Sequence, residues 1–381
     1  MNICVLGWYG SETLGDRAIL DGVIRVFSIL SDDLIFNIGS LYPVLTNRTI
    51  FEDQKMYKRH VQHIELECFD VKNKKQLKQA INNADYVIMG GGPLMDLKEM
   101  FIIKYGFRYA QKRKIKTSLV GCGYGPLKQK AYQKCLIDIV GYSDAIIMRS
   151  ENCKNQLEKL IAKRYPNKKI YSSLDPAIIS VLDYKTTSLN KSGSGNLVRK
   201  SEWIINVRDM DYVYGKKDFY YPRIRTVVSK IAKSVSRLTL MPMHTFIIGG
   251  DDRYIQNRIV HDLNYDNLKA IQKPLSLKEA YDLVSNAEGC IGMRYHSIVF
   301  QSFLHGNNYI LDYTDFKNGK IKAFLDLVDT NNFYHNRYIN MLNDGKFDFC
   351  PNDNRFVYED NNYLKSCNKY VEILSAVRGK S

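Results

Sequence analysis

Short apolar runs alternate with amphipathic stretches along this chain. N-I-C-V-L-G (2–7) predicts a strand, with a helix over 16–29 behind it. Residues 74–83 have helical spacing, and Y-V-I-M-G-G-G (86–92) predicts a strand running into a turn. T-S-L-V-G-C-G (117–123) precedes a helix near 128–141, and A-I-I-M-R (145–149) precedes one over 151–162. The alternation restarts with W-I-I-N-V-R (203–208), a helix over 222–236 and the segment M-P-M-H-T-F-I-I-G-G-D-D-R (241–253). A helix over 277–286, the strand C-I-G-M-R (290–294), a helix over 296–305, the run N-Y-I-L-D-Y (308–313) and a helix over 319–328 follow. Such alternation is the signature of βαβ units and a parallel sheet, so the expected fold class is α/β.

The polar stretch L-N-K-S-G-S-G-N-L-V-R-K (189–200) is rich in Gly and Ser and reads as a linker or mobile loop. It divides the chain into a domain over 1–188, a second over 201–345 and a tail over 346–381. Two domains also suit a length of 381 residues, because single cores rarely grow past about 250–300 residues. In the tail, Tyr363, Leu364, Tyr370, Val371, Ile373 and Leu374 fall at amphipathic spacing, so 361–377 predicts a helix that packs back on the first domain.

Composition narrows the function. A hydrophobic fraction of 45% supplies buried cores. The opening residues show no charged n-region or cleavage site, and charge breaks every apolar run before the roughly 18–20 residues a bilayer requires. A cytoplasmic protein is expected. The eight cysteines are scattered with no C-x-x-C pair, which favours buried thiols over disulfides, and no metal site is expected. The net charge of +15 admits nucleic acid, an anionic membrane surface or polyanionic small substrates. No nucleic-acid motif accompanies the charge, whereas peripheral contact with an acidic inner leaflet stays open.

Glycines recur where strands end, in G-W-Y-G-S-E-T-L-G-D (7–16), G-G-G-P-L-M-D (90–96), G-C-G-Y-G-P (121–126) and G-G-D-D-R (249–253). They are either tight-turn and packing glycines or the lining of a cleft where backbone amides approach an anion. None matches the dinucleotide fingerprint or a P-loop, so neither NAD nor ATP is indicated. Arg149, Arg208 and Arg294 each close a strand. A guanidinium there needs a carboxylate neighbour or a bound anion, and an anion would be gripped through two oxygens. His296, two residues after Arg294, is the general acid–base candidate. His244, Asp251 and Asp252 form a weaker cluster whose acids are candidate caps of the next helix, and Asp16 and Asp96 are candidate caps or ligands of sugar hydroxyls.

Taken in order, these motifs resemble those of the polysaccharide pyruvyl transferases. The ordered set is G-W-Y-G-x-x-T-L-G-D-x-A-I-L, G-G-G-x-L-x-D, G-x-G-x-G-P, R-S-E-N, L-D-P-A (174–177), the N-V-R strand end, and M-R-Y-H-S with its trailing Y-x-x-x-K. The resemblance implies two Rossmann-like domains facing a central cleft, similar to the GT-B glycosyltransferases. It also implies transfer of a pyruvyl group from phosphoenolpyruvate onto two hydroxyls of a sugar, in a surface polysaccharide or its lipid-linked precursor, as a cyclic ketal. No cofactor is implied beyond that donor substrate. Carried over by motif, Arg208, Arg294 and His296 are the donor-binding and catalytic residues. Gly7, Tyr9, Gly10, Asp16, Gly91, Gly92, Asp96, Gly123, Gly125, Arg149, His244, Asp251, Ser297, Tyr313 and Lys317 complete the substrate-binding set. The chain departs from the family pattern at Thr13, at Arg17 and within Arg149–Cys153, on the expected acceptor side.

The chemistry fits independently. Phosphoenolpyruvate carries a phosphate and a carboxylate, which arginines would cradle. A histidine of ordinary pKa, about 6.5, can exchange protons near neutral pH. A nucleotide-sugar glycosyltransferase on the same architecture and a non-catalytic glycan-binding scaffold are the competing readings.

Overall fold

The computed structural model describes residues 1–191, 201–315, 319–343, 347–358 and 361–378. They form two compact units. The first comprises Met1–Gly10, Asp16–Ser180 and the helix Asn361–Arg378; the second comprises Ser11–Gly15 and the described residues from Val181 to 358. The change of unit at Ser180 lies inside the helix Pro176–Lys191, and the expected linker falls from residue 192 onward outside the described residues.

The first unit is built on a parallel sheet of β1 (Asn2–Leu6), β2 (Asp33–Ser40), β3 (His63–Asp70), β4 (Tyr86–Gly90), β5 (Pro93–Leu94), β6 (Lys116–Tyr124), β7 (Ala145–Met148) and β8 (Tyr171–Ser172). The spatial order is β3-β2-β1-β4-β6-β7-β8, with the two-residue β5 paired to β6. Central β1 is buried on both faces, so I-C-V-L is a continuous apolar run with no exposure at Ile3 through Leu6. Edge strand β3 instead alternates and turns Glu65 and Glu67 away from the core, which discourages pairing with another chain. The helix Asn361–Arg378 buries Tyr363, Cys367, Tyr370 and Leu374 in this unit, and the Tyr370 hydroxyl donates to the Leu174 carbonyl at 2.7 Å.

The second unit carries β9 (Trp203–Ile205), β10 (Leu238–Leu240), β11 (Leu268–Ala270), β12 (Gly289–Gly292), β13 (Asn308–Asp312) and β14 (Tyr338–Asn340), all parallel, in the order β11-β10-β9-β12-β13-β14. From β9 the chain steps outward to β10 and β11, then returns to place β12 on the other side of β9. The β9/β12 boundary is therefore the topological switch point, where open parallel sheets bind ligands outside the carboxyl ends of their strands.

Several elements differ from the sequence expectation. The strand expected over 203–208 is only Trp203–Ile205; the Asn206 amide still donates to the Ile291 carbonyl at 2.9 Å, while its side chain turns to the Met241 carbonyl and the Asp252 carboxylate. The apolar run before G-G-D-D-R belongs to a loop: β10 ends at Leu240, and Ile247 and Ile248 are exposed. The glycines at 249 and 250 are thus not a strand end. The helix expected over 296–305 is α-helical only for Tyr295–Phe300 and continues as a π-turn over Gln301–His305.

Candidate functional site

In the second unit, four strand ends converge on one buried cluster. β9 delivers Asn206 and Arg208, β10 delivers Met243 and His244, β12 delivers Arg294 and His296, and β13 delivers Tyr313. The hub is Asp252, at the start of the helix Asp252–Leu263 and 1% exposed. Its carboxylate receives the Arg294 guanidinium through Nε at 2.8 and 2.9 Å and through Nη2 at 2.7 Å. It also accepts the backbone amides of Met243 (3.0 Å) and His244 (3.2 Å) and the Asn206 side-chain amide at 3.2 Å. The Asn206 side-chain Oδ1 in turn accepts the Arg294 backbone amide at 3.0 Å. Arg294 is therefore oriented from both its backbone and its side chain. Burial alone would lower its pKa, but the Asp252 carboxylate more than offsets this and raises it. Its Nη1 has no hydrogen-bond partner among the described residues, and 14% of the side chain stays accessible.

Arg208 is in the opposite situation. Its Nη1 donates to the Tyr313 hydroxyl at 2.8 Å, and the guanidinium lies 4.6 Å from the centre of that ring. Its Nε is buried without a partner, and no carboxylate pairs with it among the described residues. Burial, then the nearby positive charge of Arg294, lowers its pKa. A part-buried guanidinium beside another cation, with a donor unsatisfied, is costly unless an anion arrives.

Tyr313 is 5% exposed, and its carbonyl is held by the Tyr214 hydroxyl at 2.6 Å. Burial pushes the phenol up, but Lys320, Arg208 and Arg294 together bring it down to about 7. His296 stands at the start of Tyr295–Phe300 with its ring edge-on to Tyr295, centroids 4.9 Å apart. It packs so closely on Gly15 that a Cβ there would lie 1.9 Å from its Nδ1. Ser297 is fully buried and donates to the Arg294 carbonyl at 2.7 Å, fastening that turn.

His244 is committed to structure. Its Nε2 lies 2.8 Å from the Ile248 carbonyl, which can only accept, so Nε2 carries the proton and Nδ1 receives the Thr13 hydroxyl at 2.8 Å. Burial and the charge of Arg294 lower its pKa, keeping it neutral. Asp251 caps the helix through the Arg253 amide (2.9 Å) and pairs with the Arg253 side chain. Lys317 lies outside the described residues. Asp252, which the sequence offered only in a weaker group with His244 and Asp251, is the hub, and Asn206, Thr13 and Lys320 join the cluster although the sequence singled out none of them as site residues.

A family model described as polysaccharide pyruvyl transferase matches residues 14–300. The chain belongs to that family. Among solved structures, the UDP-GlcNAc 2-epimerase of Methanocaldococcus jannaschii is 14% identical, with a TM-score of 0.60 over 99% of this chain and 100% of that one. The Rickettsia bellii UDP-N-acetylglucosamine 2-epimerase is 13% identical, with a TM-score of 0.57 over 100% and 97%. The Neisseria meningitidis UDP-GlcNAc 2-epimerase is 13% identical, with a TM-score of 0.52 over the full length of both chains. At such identities the likeness is one of fold: two parallel α/β sheets of the GT-B-like kind. No curated protein sequence matches the chain.

In this pyruvyl transferase family member, most site candidates of the first unit have a packing partner of their own. A Cβ on Gly7 would meet the Tyr9 ring at 2.8 Å, one on Gly91 would meet Ile19 at 2.3 Å, and one on Gly92 would meet Trp8 at 2.3 Å. A Cβ on Gly123 would meet the Arg149 guanidinium at 2.6 Å and one on Gly125 would meet Met95 at 2.6 Å. Gly10 takes a left-handed φ of 95° against Ser40 and Tyr42. The Tyr9 hydroxyl donates to the Gly90 carbonyl at 2.9 Å. Arg149 forms a buried ion pair with Asp175 of the L-D-P-A motif at 3.2 Å, so here the carboxylate is the chain's own. Asp16 stands in the first turn of the helix Leu14–Phe27, where negative charge is favoured. Asp96 accepts the amides of Lys128 and Gln129 through Oδ2, while its Oδ1 is buried without a partner among the described residues. Among the described residues, no group of three or more His, Cys, Asp or Glu is placed to hold a metal ion, and no helix is long and apolar enough to cross a membrane.

Proposed function

We propose that the second unit binds phosphoenolpyruvate and that the protein transfers its pyruvyl group onto two hydroxyls of a sugar as a cyclic ketal. The observation that carries this reading is Arg208: a part-buried guanidinium whose Nε is buried and unsatisfied, with no carboxylate partner among the described residues, 2.8 Å from a phenol whose pKa is pulled down to about 7. Together with the accessible Nη1 of Arg294 it offers two cationic faces, matching a donor with a phosphate and a carboxylate. In this reading His296 protonates the methylene carbon while an acceptor hydroxyl adds to the enol carbon. Phosphate departs, the two arginines stabilise the charge it carries, and the second hydroxyl closes the ring.

The acceptor is assigned to the first unit, where the unpartnered Oδ1 of Asp96 suits a sugar hydroxyl. A lipid-linked acceptor at an anionic inner membrane face fits the charge of +15. Calorimetry with phosphoenolpyruvate tests the donor, using wild type and Arg208→Gln, a variant that removes the unpaired charge and leaves the Asp252–Arg294 pair intact. Binding in the micromolar to low-millimolar range that weakens at least 30-fold in the variant is expected. No binding, with a clear response to a nucleoside-diphosphate sugar, would replace this reading by a glycosyltransferase.

A further inference from the structure

Tyr313 is a phenol surrounded by cations. It follows β13, immediately beyond the β9/β12 switch point, with its ring 5% exposed. Arg208, after β9, donates to its hydroxyl at 2.8 Å. Lys320, opening the helix Lys320–Val328, hydrogen-bonds the same hydroxyl and lies 5.7 Å from the ring centre. Arg294, after β12, adds a third positive charge. The Asp312 carboxylate beside it on the strand turns instead to the Thr314 amide (2.7 Å) and the Tyr338 hydroxyl (2.8 Å). The helix Met210–Tyr214 offers only the neutral Tyr214 hydroxyl, bonded to the backbone carbonyl of Tyr313 at 2.6 Å. Asp252 is engaged by Arg294. A phenol fixed among two guanidiniums and an ammonium is more than a ligand for one arginine, because its proton is held loosely by an electrostatic field that a bound anion would reverse.

We propose that Tyr313 is the proton donor to the departing phosphate, taking up its proton from solvent as the donor anion enters the pocket. The inference rests on phosphoenolpyruvate being the donor. An incoming trianion cancels the local positive charge, and the phenolate becomes a phenol. His296 then gives a proton to the methylene carbon as the C2–O bond to the first hydroxyl forms. When the C2–O bond to phosphate breaks, its electron pair goes to the phosphate oxygen, which takes the Tyr313 proton. The second hydroxyl adds to C2, one hydroxyl proton restores His296 and the other returns to solvent, and Tyr313 is again a phenolate when hydrogen phosphate leaves.

The test needs no acceptor. Phosphoenolpyruvate is titrated into the wild type and Tyr313→Phe at pH 8, in buffers of different ionisation heat, so that protons taken up per ligand bound are read directly. With a free-state pKa of about 7, about nine in ten wild-type molecules start as phenolate at that pH. Uptake approaching one proton is expected in the wild type and its loss in Tyr313→Phe, with affinity changed less than tenfold. Site-specific 3,5-difluorotyrosine at 313, isosteric and more acidic, should keep the uptake and move its pH midpoint lower. Equal uptake in wild type and Tyr313→Phe, or a midpoint indifferent to fluorination, overturns the proposal. If the wild type binds no phosphoenolpyruvate, the donor reading fails instead. Inorganic phosphate is then the probe, and absence of Tyr313-dependent uptake on its binding also overturns the inference.

Discussion

Replacing Asp252 by Asn should be far more damaging than the same change at its neighbour Asp251. Five donor groups converge on the buried Asp252 carboxylate: Arg294 Nε and Nη2, the amides of Met243 and His244, and the Asn206 side chain. An asparagine has the same shape, but either orientation turns an NH2 group toward donors and leaves the Arg294 guanidinium buried without its counter-ion. Removing one partner of a buried pair costs about 3–5 kcal/mol. At roughly 2–4 °C per kcal/mol for a domain of this size, the second unit should melt about 6–20 °C lower. Asp251 also caps the helix and pairs with Arg253, yet the Arg253 side chain is 29% exposed. A cap plus a surface pair is worth about 1 kcal/mol. Differential scanning calorimetry of both variants, with urea unfolding to check the slope, makes the comparison. Equal losses, or a loss below about 1 kcal/mol for Asp252→Asn, would falsify the view that the hub holds the site together.

Other consequences are open to measurement. Gly15→Ala should leave thermal stability near wild type, since alanine improves helix propensity by about 1 kcal/mol. The methyl group, 1.9 Å from His296 Nδ1, must nevertheless displace the imidazole, and misplacement of about 1 Å lowers turnover on the order of 100-fold. A variant that keeps full pyruvyl transfer argues against His296 as the acid. In the first unit, Asp21 is fully buried. Burial would raise its pKa, but Arg59 and His60 bring it from 3.8 to about 2. A depressed carboxylate stabilises the fold above its unfolded pKa, and that contribution, about 2 kcal/mol, is lost as pH falls from about 4 to about 2. Asp21→Asn should therefore lower stability at pH 7 and flatten the wild-type acid limb between those values. An acid limb as steep as the wild type's would refute the assignment.

The alternation of apolar and amphipathic stretches made the parallel α/β character legible, and the arginines and histidine closing short apolar runs stood out because charge there demands a partner. The partner itself was hidden. G-G-D-D-R presents two adjacent acids, and sequence cannot say that Asp251 faces Arg253 at the surface while Asp252 turns inward to Arg294, since that depends on which face of the helix packs. Thr13 and His244 meet across 231 positions, a pairing no local pattern encodes. The apolar run F-I-I before those glycines pointed the wrong way, because a three-residue strand, L-T-L (238–240), carries too little periodicity to compete with it. In the first unit, each recurring glycine proved to have a neighbouring side chain against it, which a motif cannot distinguish from an open approach for ligand.

The helix Asn361–Arg378 closes the first unit over β6 and β7, and this orders events during translation. The strands it covers are made early, and roughly 210 further residues must be polymerised before it begins, about 10–40 s at usual elongation rates. Throughout that interval the surface destined for Tyr370 and Leu374 stays uncovered, while the second unit has its whole sequence in one later stretch apart from Ser11–Gly15. The half of the molecule synthesised first is thus the last to be finished. A stalled or truncated nascent chain should expose its sticky face there, so chaperone demand during expression belongs to the amino-terminal half.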